Sequence, residues 1–161
     1  MDLKLRNFSR PFKSFLIAFL VVLSTGYFTG LAFVNQTEST HPSGIVENYN
    51  GNEENELAKV MKFKKGKREM LTIVHTHVLS IGFIFLCMGV LLWGTELSTP
   101  WKLFLTIEPF CSILLTFGGI YMIWLDIAFM SYVVMLSGIL MTVSFILSLF
   151  FILNDLRKTP L

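Results

Sequence analysis

Residues 103–153 read LFLTIEPFCSILLTFGGIYMIWLDIAFMSYVVMLSGILMTVSFILSLFFIL, an apolar run whose only charges are Glu108 and Asp126. A helix of about 20 apolar residues crosses a hydrocarbon layer of roughly 30 Å. The run is therefore too long for one crossing and too apolar for water. It predicts two spans, Leu103–Leu125 and Ile127–Leu153, joined by a tight hairpin near Trp124–Ala128 that no Gly or Pro marks.

Two more stretches have the same character. Met70–Trp93 carries no charge but has two histidines, and Phe15–Val34 carries no charge. Such runs must be helical, because lipid offers no partner to an open backbone. The predicted fold is all-α, an integral-membrane bundle of four transmembrane helices. The other segments are a basic tail (1–14), a long loop (35–69), a short loop (94–102) and a C-terminal tail (154–161).

The bulk composition agrees. Of 161 residues, 53% are apolar and 15% charged, with a mean hydropathy of +0.65. Soluble domains are nearer 25% charged. All charges except Glu108 and Asp126 fall in the predicted tails and loops. This excludes a soluble globular enzyme, a disordered tail and a nucleic-acid binder, and the net charge of +2 is too small to argue for a polyanionic partner. Cys87 and Cys111 lie inside apolar spans without a CxxC pattern, which reads as buried, reduced and structural rather than as a disulfide framework.

The first span is long for a signal peptide's apolar core, and no A-x-A-like site follows it, so it reads as a retained anchor. Orientation follows the basic residues. Lys4, Arg6, Arg10, Lys13, Lys102, Arg157 and Lys158 lie on one side. Lys59, Lys62, Lys64, Lys65, Lys67 and Arg68 lie on the other. The tally is nearly even. The first helix usually decides, which places both termini in the cytoplasm of a cell (inner) membrane. Trp93 and Trp101 then mark the inner interface and Trp124 the outer one.

In the long loop, acidic residues from Glu53 precede Leu57, Val60, Met61 and Lys64 at helical spacing. Acid first and base last suit a helix dipole, so a short amphipathic surface helix is predicted at about 53–65, ending near Gly66. Its basic residues invite a reading as an anionic-lipid patch; the plainer reading is a solvated connector.

Small and polar residues mark protein-facing helix sides in membranes. On that rule, His75, Leu79, Gly82, Leu86 and Gly89 face inward on the second span. His77, Ile81, Ile84, Met88 and Leu91 face lipid. Glu108, Ser112, Leu115, Gly119 and Met122 face inward on the third span, with Phe110, Ile113, Phe117, Tyr121 and Trp124 outward. On the fourth span Met130, Val134, Ser137, Met141, Ser144 and Ser148 face inward. On the first, Phe19, Gly26, Gly30 and Phe33 align, with Gly26 and Gly30 in GxxxG spacing that suggests tight packing.

Three readings of chemistry follow. His75, Met122 and Met130 come to similar heights by helical rise. Imidazole with thioether suits copper or an axial position of haem b. His77, His41 and Asp126 are further candidates around that metal, and Tyr27 a lining residue. Against it, methionine commonly fills packing gaps. Glu108 is costly inside a span, so it is either a proton-relay or ion-site carboxylate or a hydrogen-bonded clip to Ser144, Ser148 or a carbonyl near Pro109. Ser112 lies one turn along. No nucleophile–base set, phosphate loop, HExxH, GxSxG or nucleic-acid motif occurs. The favoured expectation is a non-enzymatic accessory or scaffold subunit in the bilayer, held with other membrane subunits or with copies of itself. Haem or copper redox chemistry and ion movement through Glu108 are the alternatives.

Overall fold

The computed structural model describes residues 4–37, 40–53, 55, 58 and 60–158. The chain is all-helical in its long elements: α1 (Arg10–Gln36), α2 (Pro42–Asn50), α3 (Lys67–Trp93), α4 (Thr99–Trp124) and α5 (Met130–Arg157). α1, α3, α4 and α5 are each long and apolar enough to cross a membrane, and they are the four spans read from the sequence. α1 and α4 start with Pro in the first turn, where its missing N–H costs nothing.

The chain alternates between two ends. At one end, a 3-10 turn at Leu5–Asn7 reaches the α3–α4 turn, with the Leu5 N–H donating to Gly94 O at 2.9 Å. Lys13 Nζ donates to Lys158 O at 2.8 Å. The segments around Leu5 and Lys158 and the α3–α4 turn are thus together. α2 and the α4–α5 turn form the opposite end. There Asn50 Nδ2 donates to Ile123 O at 2.7 Å, and Trp124 Nε1 donates to Lys65 O at 2.7 Å.

The α4–α5 turn lies where the sequence placed it. Asp126 takes φ 69°, a left-handed conformation that Asp tolerates better than most residues. This is how the turn itself is made without glycine.

α5 buries Val134, Ser137, Met141, Ser144 and Ser148, the predicted face. α4 departs from prediction. Ile113 and Phe117, assigned to lipid, are 2% and 6% exposed, because α4 runs between α3 and α5 and packs on both sides. Leu115 and Met122, assigned inward, are exposed.

On α3 the two faces are exchanged. Met70, Phe85, Met88 and Leu92 are buried, whereas Leu79 and Leu86 are 60% and 52% exposed. Bulky side chains, not glycines, make this interface. Only Gly89 of the predicted stripe approaches a neighbour, where an added Cβ would lie 3.3 Å from Thr106. α1 shows the same departure. It packs through Leu16, Leu20 and Tyr27, while an added Cβ at Gly26 or Gly30 would meet nothing within 4 Å and Phe33 is exposed.

The loop helix is also displaced. It forms at Pro42–Asn50, and none of the described residues between 53 and 65 is helical; Glu54, Glu56, Leu57 and Lys59 lie outside the described residues. Gly51 bridges Phe63 in antiparallel fashion. Asn52 Oδ1 accepts from the Lys62 N–H and its Nδ2 donates to Val60 O. An asparagine side chain that captures backbone groups competes with a helix. Helix formation goes instead to the segment whose Ile45 is buried in the bundle.

Candidate functional site

The polar groups inside the bundle gather along the α4–α5 seam. Glu108 is half-buried. Ser112 Oγ–H donates to its Oε1 from one turn along α4, and Ser144 Oγ–H donates to its Oε2 across the seam from α5. Each carboxylate oxygen therefore has its own hydroxyl. Further along, Thr116 Oγ1 lies 2.7 Å from Ser137 Oγ, and Ser137 Oγ–H donates to Val133 O at 2.8 Å. Ser148 is buried on the same α5 face. The seam closes because Gly119 lets α5 come near: an added Cβ there would lie 2.6 Å from Val134 Cγ2.

Tyr27 of α1 borders this region. Its ring stacks on Phe145 with centroids 4.0 Å apart and a 3° interplanar angle, and it meets Phe85 edge-on at 6.4 Å. Its hydroxyl lies 3.2 Å from Thr142 Oγ1. Of the predicted intramembrane polar set, Glu108, Ser112 and Tyr27 are brought into one region. Asp126 is not. It sits on the α4–α5 turn and pairs with Lys64 Nζ at 2.9 Å, with Asn50 Nδ2 3.2 Å away.

None of the three residues of the predicted imidazole–thioether set is buried. His75 is exposed, about 120° round α3 from the packed stripe at 100° per residue. Met122 is 44% exposed. Met130 is half-buried against Gly119. His77, read as lipid-facing, is the histidine on the α4 side: its ring lies 5.1 Å from Phe117, and its Nδ1 lies 2.8 Å from Ile73 O. His41 is exposed at the start of α2. Among the described residues no three His, Cys, Asp or Glu side chains converge as metal ligands.

A second polar cluster was missed in the sequence because Asp155 reads as tail. It lies in the last turn of α5 and is 2% exposed. Lys158 Nζ bonds both Asp155 Oδ1 at 2.8 Å and Glu96 Oε2 at 2.9 Å, and Arg6 Nη1 holds the other Glu96 oxygen at 2.5 Å. The Lys158 hydrogen bond, aided by the charges of Arg6, Lys158 and Lys4, holds the Glu96 carboxyl below its ordinary range. Its bonds to Asp155 and Glu96 in turn raise Lys158. The signal available in the sequence was the continuation of the serine stripe: 144, 148, 152 and 155 share one α5 face.

A family model described as a transmembrane helical domain matches residues 39–160, and the chain belongs to that family. No curated protein and no solved structure shows a detectable match to the chain. The protein is a small multi-pass membrane protein built on a transmembrane helical domain.

Proposed function

We propose that the chain is a non-catalytic accessory or scaffold subunit of a membrane assembly. The observation that carries this reading is the pairing of Glu108, its costliest intramembrane residue, with Ser112 and Ser144. A carboxylate occupied at both oxygens by neighbouring hydroxyls clips two helices together and is not presented to a substrate. α1 then supplies the surface for other subunits, since its Gly26 and Gly30 side is open. Cysteines introduced at these two positions test the role in membranes. Cross-linking to a distinct co-purifying subunit is expected, and their failure to capture any protein contradicts it. Both termini are assigned to the cytoplasm, with thiol labelling of residues in the two ends as the check.

A second reading is favoured by the aligned hydroxyls of Thr116, Ser137 and Ser148 along the same seam. In it, Glu108 takes part in proton or ion movement. Glu108→Gln separates the two. In reconstituted vesicles the clip predicts unchanged cation flux, whereas loss of a wild-type flux in a stably folded variant selects the relay.

A further inference from the structure

The α3 face predicted to pack inward is the face left open, and its chemistry changes with depth. Arg68, His75, Leu79, Gly82, Leu86 and Trp93 follow one stripe at 100° per residue. Arg68, His75, Leu79, Leu86 and Trp93 are all exposed, and Gly82 is half-exposed. Neither Arg68 nor His75 has a side-chain hydrogen bond or ion pair among the described residues, and Lys67 stands exposed beside them. By a rise of 1.5 Å per residue, His75 stands about 27 Å from Trp93. With Trp93 at one interface of a roughly 30 Å core, His75 reaches the headgroup level of the opposite leaflet. Arg68 and Lys67 lie about 10 Å and about 12 Å farther along the helix, toward the water.

Below His75 the stripe is wholly apolar. Leu79 and Leu86 flank Gly82, where an added Cβ would meet nothing within 4 Å. The notch lies between two protruding leucines. From His75 to Leu86 the rise is about 16 Å, close to the depth of one leaflet.

We propose that this stripe is a binding site for one anionic phospholipid. Lys67, Arg68 and the His75 imidazole hold its phosphate, and an acyl chain lies along Leu79, the Gly82 notch and Leu86. The occupant is chosen by charge and depth. Two fixed cations and an imidazole that donates from a ring nitrogen meet the phosphate plane. Lipid-facing apolar groups begin where the acyl chains do. A phosphate contact is charge-assisted, and a Lys or Arg near an anionic surface strengthens the attraction.

Native mass spectrometry of the full-length protein, released from detergent with added phosphatidylglycerol or phosphatidylcholine, tests the site. Preferential retention of one phosphatidylglycerol is expected. Retention should fall about tenfold in R68Q/H75Q, and also fall in G82L, which fills the notch without touching a charge. R10Q and R157Q, at the other end of the bundle, should leave it unchanged. Arg10, Arg68, His75 and Arg157 are exposed and a side chain added at Gly82 starts into open space, so the fold is retained, and helical circular dichroism verifies this. Equal retention of the two lipids, or of phosphatidylglycerol by R68Q/H75Q and wild type, overturns the proposal. So does displacement of the lipid by millimolar inorganic phosphate together with an unaffected G82L, which identifies a free-anion site.

Discussion

The α4–α5 hairpin and α1 are both long, apolar helical elements containing glycine, yet they are held in opposite ways. The hairpin closes on Gly119, with polar side chains paired across its seam. α1 touches the bundle along one stripe anchored by Tyr27, and its own GxxxG side is empty. The family match follows the same division, since residues 39–160 take in α2 through α5 and leave α1 outside. Glycine therefore marks a possible close approach in a membrane helix, and the partner decides whether it is used. In the absence of a hydrophobic driving force between spans, packing and interhelical hydrogen bonds decide the matter.

The largest break in that contrast should come from Gly119→Val. Overpacking costs about 1–3 kcal/mol and occasionally more, and here the obstacle is a β-branched side chain opposite a helix backbone. Unfolding of the detergent-solubilised protein should show a loss near the top of that range. Gly26→Val should show almost none.

Glu108→Ala comes next. Intramembrane hydrogen bonds average about 0.6 kcal/mol and reach about 1.7, so losing two should cost roughly 1–3 kcal/mol in the same assay. Glu108→Gln, which retains an acceptor and a donor, should recover much of it.

Asp126→Val should cost about 1–2 kcal/mol through its left-handed backbone, whereas Asp126→Gly relieves that strain and loses only the exposed Lys64 pair and the Asn50 hydrogen bond. Comparing the two in thermal unfolding separates turn geometry from the ion pair.

The smallest effect concerns the end that joins the termini. Glu96 is held below its ordinary value of 4.5, so its contribution is present above that value and is lost as pH falls through the lowered one. Lys158 is raised above 10.5, so its contribution is present below 10.5 and is lost as pH rises through the raised value. Hydrogen exchange of the Leu5 amide should be insensitive to these pairings between about pH 5 and 10 once its intrinsic pH dependence is removed. It should accelerate beyond either limit, and in high salt, which screens exposed pairs.

Four spans, their hairpin and the inward face of α5 were legible in the sequence because length, apolarity and a serine stripe each have one physical solution in lipid. The faces of α3 and α4 were not. α4 lies between two neighbours and buries residues on both sides, a matter of bundle order that periodicity does not encode. On α3 the interface uses Met70, Phe85, Met88 and Leu92, bulky residues that look like lipid-facing ones. The Glu108–Ser144 pairing was legible because an intramembrane carboxylate needs a hydrogen-bond partner and the fourth span offered serines. The surface helix was misplaced, since Asn52 side-chain bonding is invisible to a pattern of charges and apolar residues.

A double-mutant cycle between Glu108 and Ser144, using Glu108→Ala and Ser144→Ala in the full-length protein, tests the central claim that this carboxylate joins α4 to α5. The account predicts a coupling of about 1 kcal/mol, within the range measured for intramembrane hydrogen bonds. Strict additivity of the two losses would contradict it.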